Sequence, residues 1–170
     1  MKATNTRKLA IAGILIAVGV ICSPFSVNVG FAKCFPIQHM INVLAGVLFG
    51  PLYAVCMAFA TSLLRLTLGM GTLLAFPGSM IGALCCGLLY GRTHKLWTAY
   101  LGEIVGTGLL GGLAAYPVAA YIMGKEVAIF AFVVPFLAST VAGATLSVIL
   151  IRALAKTPVF GKLLGETKTI

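Results

Sequence analysis

Long uninterrupted apolar runs constrain this chain more than any other feature. The first extends from Leu9 to Ile21, and comparable runs recur along most of the sequence. Hydrocarbon offers the backbone no hydrogen-bond partners, so segments that cross a bilayer must be helices or strands of a closed barrel. Barrel strands alternate apolar and polar residues, whereas these runs are continuous. The pattern therefore predicts an all-α membrane protein.

The composition supports the same prediction. Hydrophobic residues make up 61% of the chain and charged residues only 9%, whereas about a quarter of a soluble domain is charged. Arg7 and Lys8 before the first apolar run are reminiscent of a signal peptide, but bulky Ile21 occupies a position where a cleavage site needs a small residue. We therefore interpret this run as the first membrane helix.

Glycine and proline residues divide the apolar sequence into segments of helical length. We predict one integral membrane domain over residues 1–170, with a loop around Asn28 and Lys33 after the first helix. The six predicted transmembrane helices cover residues 7–24, 37–49, 52–68, 73–90, 96–122 and 127–155.

The positive charges predict the orientation of these helices. An even number of helices places both termini on one side, and nine of the twelve Lys and Arg residues then fall on that side. Basic residues accumulate in cytoplasmic loops, so we predict that both termini are cytoplasmic. The net charge of +9 could instead suggest nucleic acid, but its placement between apolar runs favours a role in topology, and no nucleic-acid partner is predicted.

Polar residues within apolar helices are costly and are therefore candidates for function. Gln38, His39 and Asn42 fall within one arc of about 100° on the second helix, where they could hold a small polar heterocycle. The alternative is a helix start that is hydrogen-bonded to its own loop.

Two ionisable side chains also lie within predicted spans. Arg65 shares a helix face with Thr61 and Ser62, which favours an inward position, although an arginine snorkelling to the headgroups remains an alternative. Glu103 is the one acid within a predicted span. It is either part of a binding site or a buried carboxyl group that is paired with another helix or is uncharged.

Small residues at regular spacing indicate close helix packing. In the sixth helix a stripe of small, hydroxyl and aromatic residues is typical of packing, with ligand contact as the alternative. Its members are Phe136, Ser139, Thr140, Gly143 and Ser147. Small-residue pairs four positions apart occur in the first and fifth helices, at Gly13 and Ala17, Gly102 and Gly106, and Gly108 and Gly112.

Motifs of catalysis are missing from the sequence. It contains no nucleotide-binding loop and no metalloprotease or serine-hydrolase signature, and its five cysteines lack metal-ligand or redox spacing. We therefore predict no enzymatic activity, no metal site and no cofactor. A small intramembrane enzyme would need a nucleophile or metal set that cannot be assembled from Glu103, His39 and Cys34.

Three segments together resemble a known family. Residues 33–42 read KCFPIQHMIN, residues 71–83 read GTLLAFPGSMIGA, and residues 102–108 read GEIVGTG. They resemble the ThiW family, whose members are substrate-binding S components of energy-coupling factor transporters and are associated with the thiazole precursor of thiamine. The resemblance extends over roughly residues 7–155.

This resemblance implies a six-helix subunit in the bacterial cell membrane, with a substrate pocket near the outer face. It implies partners as well, namely a transmembrane coupling protein with two ATPase subunits, docked through Gly13 and Ala17 of the first helix. The implied ligand, hydroxyethylthiazole, is small and aromatic and suits a compact pocket with few hydrogen bonds. The candidate pocket residues are Gln38, His39 and Asn42 as polar contacts, Phe35, Phe76 and Tyr116 as aromatic walls, and Arg65 and Glu103. The alternatives are an S component for another small vitamin-like heterocycle and a solitary carrier.

Overall fold

The computed structural model describes residues 5–29 and 32–157, which form six helices and one short β-hairpin. The helices are α1 (Asn5–Ile21), α2 (Pro36–Phe49), α3 (Pro51–Thr67), α4 (Ala75–Thr93), α5 (Leu96–Ile122) and α6 (Val133–Leu154). The hairpin consists of β1 (Val27–Val29) and β2 (Ala32–Cys34). The protein is thus nearly all-α.

The observed helices match the predicted ones in number and order within the described residues. The largest shift is at α6, which begins at Val133 rather than at residue 127. By length and composition, α5 and α6 can each cross a membrane on their own. Helix α2 has 14 residues and rises only about 21 Å at 1.5 Å per residue, which is less than the ~30 Å hydrocarbon core of a bilayer.

The hairpin corrects the prediction of an all-α chain with a loop after the first helix. Its strands are antiparallel, with Val27 opposite Cys34 and Asn28 opposite Lys33. The two β-branched residues Val27 and Val29 flank Asn28, which is a pattern that strands favour. The segment is too short for alternation to reveal a strand in the sequence, because each strand has only three residues.

Helix α4 forms the centre of the bundle, because it packs against α2, α3 and α5. Helix α6 closes the other side by packing against α2 and α5. In contrast, α1 lies at the periphery and packs against α2 and α3. Large apolar side chains remain exposed around the bundle, including Leu52 and Tyr121, which are 74% and 81% exposed. Such a surface is suited to lipid.

Glycines bring α5 close to both of its neighbours. A Cβ atom added at Gly102 or Gly106 would lie 2.8 Å from backbone atoms of α4. A Cβ added at Gly112 would lie 2.9 Å from the Cα atom of Val133 in α6. The predicted small-residue pairs of this helix therefore do mark close packing, with Gly102 and Gly106 facing α4 and Gly112 facing α6.

We expect Gly106→Ala to destabilise the protein by about 1–3 kcal/mol, because the new methyl group overpacks a contact between two backbones. Its Cβ would meet the Cα atom of Gly82 at 2.8 Å and the Cβ atom of Cys85 at 3.0 Å. Gly91→Ala is the matched control, since a Cβ at Gly91 has no neighbour within 4 Å. Thermal denaturation in detergent should show a lower midpoint for Gly106→Ala alone, and equal midpoints would contradict this packing.

Candidate functional site

A cavity of about 270 Å³ lies at one end of the bundle, near the lower end of the usual range for small-molecule sites. The β-hairpin, the α3–α4 turn and the α5–α6 turn surround it. The described residues that line it are Lys33, Phe35, Gln38, His39, Arg65, Gly69, Met70, Gly71, Thr72, Leu74, Ala75, Gly78, Ser79, Thr107, Lys125, Phe136 and Ser139.

The polar residues of α2 point into the bundle. Gln38, His39 and Asn42 are 4%, 8% and 2% exposed. Proline at the first position of α2 starts the helix with a favourable backbone angle, and the helix carries these three side chains directly into the core. They are therefore part of the packed interior, and their side chains bond to α3, α4 and α5 rather than to the preceding loop, as the alternative required.

Glu103 is the centre of a buried hydrogen-bond network. Its Oε1 atom lies 2.8 Å from Nδ1 of His39 and accepts hydrogen bonds of 3.0 Å from Nδ2 of Asn42 and from Oγ1 of Thr107. An ionised carboxylate only accepts hydrogen bonds, so an ionised Glu103 requires the proton on Nδ1 of His39. The second ring nitrogen of His39 then remains for the cavity, which His39 lines.

The backbone around Glu103 is adapted to this network. Residues Ile104–Gly111 form a π-helical segment within α5, and widened turns of this kind occur frequently at functional sites. On the facing side of α4, a Cβ atom at Gly82 would lie 2.9 Å from Oε2 of Glu103. The absence of a side chain at Gly82 therefore leaves room for the carboxylate.

Arg65 is directed inward rather than toward the headgroups, since it is only 1% exposed. Its guanidinium carbon lies 3.6 Å from the centre of the Phe35 ring, a cation–π contact. Its Nη1 atom donates a hydrogen bond to Oε1 of Gln38. Among the described residues, its Nε and Nη2 atoms have no hydrogen-bond partner.

Hydroxyl groups connect the arginine side of the site to Glu103. Gln38 donates a hydrogen bond of 3.3 Å to Ser62, and the hydroxyl groups of Ser62 and Ser79 are 3.1 Å apart. Asn42 donates to the carbonyl oxygen of Ser79 at 3.2 Å and also to Glu103. Residues from α2, α3, α4 and α5 thus form one polar network beneath the cavity.

Helix α6 and the hairpin close the side of the cavity. The backbone N–H of Phe35 donates to the hydroxyl of Ser139 at 2.8 Å, and the thiol of Cys34 donates to the carbonyl oxygen of Pro135 at 3.0 Å. Both contacts join the hairpin end to the first turns of α6. Phe136, which also lines the cavity, supplies an aromatic wall opposite the α2 residues.

The structure places the predicted site residues in three groups. Gln38, His39, Phe35 and Arg65 line the cavity. Asn42 and Glu103 do not line it but lie behind His39 in the network. Of the three predicted aromatic residues, Phe35 lines the cavity, whereas Phe76 and Tyr116 are not among the lining residues. Phe136 supplies the second aromatic side chain of the lining, and Phe76 packs on Phe59, with the ring centres 5.6 Å apart.

Several of the lining residues carry no distinctive sequence pattern. Ser79 and Thr107 were not identified as site residues, because single hydroxyl residues are common in membrane helices. Phe136 and Ser139 belonged to the stripe of α6 that was interpreted chiefly as packing. Lys33 lies in the hairpin and Lys125 in the α5–α6 turn. Neither was predicted to line the site, because lysines are common in loops.

The proposed docking residues of α1 face outward. Gly13 and Ala17 are exposed, and a Cβ atom at Gly13 would have no neighbour within 4 Å. Both belong to the side of α1 that α2 and α3 leave uncovered. This face is therefore available to lipid or to another protein.

A helical bundle with an apolar outer surface and, at one end, a cavity lined by apolar and polar residues is typical of a membrane protein that binds a small molecule. The sequence matches the model of the family described as thiamine-precursor transporter protein (ThiW) over residues 9–157. The chain therefore belongs to the ThiW family of transporters. Comparison with curated proteins gave no match, and comparison with solved structures gave none either.

Proposed function

We propose that this chain is the substrate-binding S component of an energy-coupling factor transporter and that it takes up a thiazole precursor of thiamine of the size of hydroxyethylthiazole. The observation that carries this proposal is the cavity of about 270 Å³ lined by Phe35, Gln38, His39 and Phe136. Its volume and mixed lining suit one small heterocycle. The membership in a family of thiamine-precursor transporters supports the same substrate class.

The lining offers the contacts that a thiazole needs. The rings of Phe35 and Phe136 provide apolar walls, and the free nitrogen of His39 can bond to a hydroxyl group or a ring atom of the ligand. Glu103 holds the His39 ring in place through the hydrogen bond of 2.8 Å. Asn42 and Glu103 are thus positioning residues in this proposal, and their predicted direct contact with the ligand gives way to this indirect role.

Titration of the purified subunit with hydroxyethylthiazole tests the substrate assignment. We expect His39→Ala to weaken binding by about 5- to 150-fold, because the ligand's polar group loses its partner at a cost of about 1–3 kcal/mol. His94→Ala is the matched control, since His94 follows α4 at the opposite end of the bundle from the cavity. Equal affinity of the His39→Ala variant and the unaltered protein would show that α2 does not contribute to ligand binding.

Energy for uptake must come from other chains in this proposal, since the sequence contains no nucleotide-binding loop. The partners are a transmembrane coupling protein and two ATPase subunits. We propose that the exposed Gly13 and Ala17 of α1 form the contact with the coupling protein, because small residues allow a second helix to approach closely.

The cavity opens at the outer face of the bacterial cell membrane in this proposal, and both termini are cytoplasmic. The orientation follows from the basic residues Arg92 and Lys95, which lie at the end opposite the cavity. Single cysteines placed at residues 92–95 should react with an impermeant reagent only after the cells are opened, whereas cysteines at residues 124–126 should react in intact cells. Labelling of residues 92–95 in intact cells would show that the orientation is the reverse of the proposed one.

A further inference from the structure

We propose that the ligand of this cavity is an acidic thiazole, a carboxylate or a phosphate ester, whose oxyanion is bound by Arg65. This inference rests on the proposed function, because it specifies the chemical form in which the thiazole precursor is taken up. It differs from the expectation of a neutral ligand.

The Arg65 guanidinium has one edge without a hydrogen-bond partner in the described part of the chain. Its Nη1 atom is occupied by Gln38, and one face of the group covers the Phe35 ring. The Nε and Nη2 atoms are buried and have no hydrogen-bond partner in the described part of the chain. These two nitrogens form the side edge of a guanidinium, which presents two parallel N–H groups and pairs with both oxygens of a carboxylate or phosphate. The unpaired edge thus has the geometry of an oxyanion site.

The cavity has a positively charged lining. Arg65 is 1% exposed, and a buried charge is costly unless an opposite charge accompanies it. Among the described residues that line the cavity, Lys33 and Lys125 add two further cations and no residue is acidic. Glu103, the acid of the buried network, lies behind His39 and is not a lining residue. Its Oε1 atom already has three hydrogen-bond contacts, whereas its Oε2 atom has no partner among the described residues. The described residues that line the cavity therefore carry an excess of positive charge, which an anionic ligand would compensate.

A neutral thiazole and an acidic thiazole differ in how well they can pair with Arg65. Neutral hydroxyethylthiazole can accept a hydrogen bond from one N–H of Arg65 but leaves its charge uncompensated. A carboxylate or phosphate accepts from both N–H groups and neutralises the guanidinium. Hydrogen bonds between charged groups are roughly twice as strong as neutral ones, so we expect the acidic forms to bind about 10- to 100-fold more tightly.

An oxyanion could also come from the phosphate of a lipid headgroup, because the cavity lies at one end of a membrane bundle. The cavity of about 270 Å³ has aromatic walls from Phe35 and Phe136, which favours a compact heterocyclic acid over a diacyl lipid. The two sources are separated by including an anionic lipid in the same titration.

The experiment is a calorimetric titration of the full-length protein in neutral detergent with five probes. These are hydroxyethylthiazole, its phosphate ester, 4-methylthiazole-5-acetate, inorganic phosphate and phosphatidylglycerol. We expect the two thiazole acids to bind more tightly than the alcohol, and inorganic phosphate and the lipid to bind more weakly than the acids. Arg65→Gln should remove the preference for the acids, and Arg65→Lys should retain part of it. Lys95→Gln, which removes an exposed cation outside the cavity lining, should leave the preference unchanged.

The outcomes separate this inference from the proposed function. Binding of the alcohol at least as tight as that of the acids overturns the inference and leaves the proposed function intact. The inference is also overturned if the Arg65→Gln variant still prefers the acids. It is overturned as well if inorganic phosphate or the lipid displaces the thiazole acids at equal concentration. If no thiazole binds, the proposed function fails and the inference fails with it. The titration of the unaltered protein with the five probes tests the inference even if the Arg65→Gln variant does not fold.

Discussion

Uptake of the thiazole should be lost when Gly13 and Ala17 are both replaced by Leu, whereas the isolated subunit should bind the ligand as before. Both positions are exposed on the outer side of α1, and a Cβ atom at Gly13 has no neighbour within 4 Å. Leucine can therefore be accommodated without disturbing the subunit itself. It would block the approach of a partner helix, which depends on small residues at the contact.

The measurement pairs uptake by whole cells with titration of the purified variant. Ala142→Leu is the matched control, because Ala142 is also an exposed alanine, on α6. It should leave both uptake and binding unchanged. Normal uptake by the Gly13→Leu, Ala17→Leu double variant would move the docking surface to another helix, and loss of binding would show that α1 supports the site instead.

Glu103→Ala should cost about 3–5 kcal/mol of stability, because it removes the acidic partner of a buried pair. The carboxylate accepts hydrogen bonds from His39, Asn42 and Thr107, at 2.8, 3.0 and 3.0 Å. After the substitution His39 and Thr107 lose this acceptor, and Asn42 keeps only the carbonyl oxygen of Ser79. Ligand binding should weaken as well, since the His39 ring loses the contact that holds it.

Two variants provide the comparison for Glu103→Ala. Glu103→Gln retains the volume and a carbonyl acceptor and should cost less, about 1–3 kcal/mol. Glu126→Gln removes an exposed acid in the α5–α6 turn and should change stability by less than about 0.5 kcal/mol. Denaturation midpoints in detergent should fall in the order Glu126→Gln, Glu103→Gln, Glu103→Ala. Equal midpoints for Glu103→Ala and the unaltered protein would show that the network does not hold the helices together.

The helices could be predicted because their signals are local. Gly50 and Pro51 separate α2 from α3 as expected, since glycine ends one helix and proline starts the next. The inward position of Arg65 was also indicated by its helix face, which it shares with the buried Thr61 and Ser62. Periodicity along a single helix was enough for these features.

The site itself depends on contacts between helices, which periodicity does not reveal. The pairing of His39 with Glu103 joins residues 64 positions apart, and nothing in either helix alone indicates it. The π-helical segment after Glu103 changes which residues share a face, so a count at 100° per residue fails there. The aromatic wall was misplaced to Phe76 and Tyr116 for the same reason, because the sequence gives the face of a helix but not its neighbour.

Reconstitution into proteoliposomes tests the central proposal most directly. The chain is inserted alone or together with the coupling protein and both ATPases, and accumulation of radiolabelled hydroxyethylthiazole and of its phosphate ester is measured with and without ATP. An S component should bind the thiazole alone but accumulate it only with all partners and ATP. Accumulation by the chain alone without ATP would contradict this account and identify a solitary carrier.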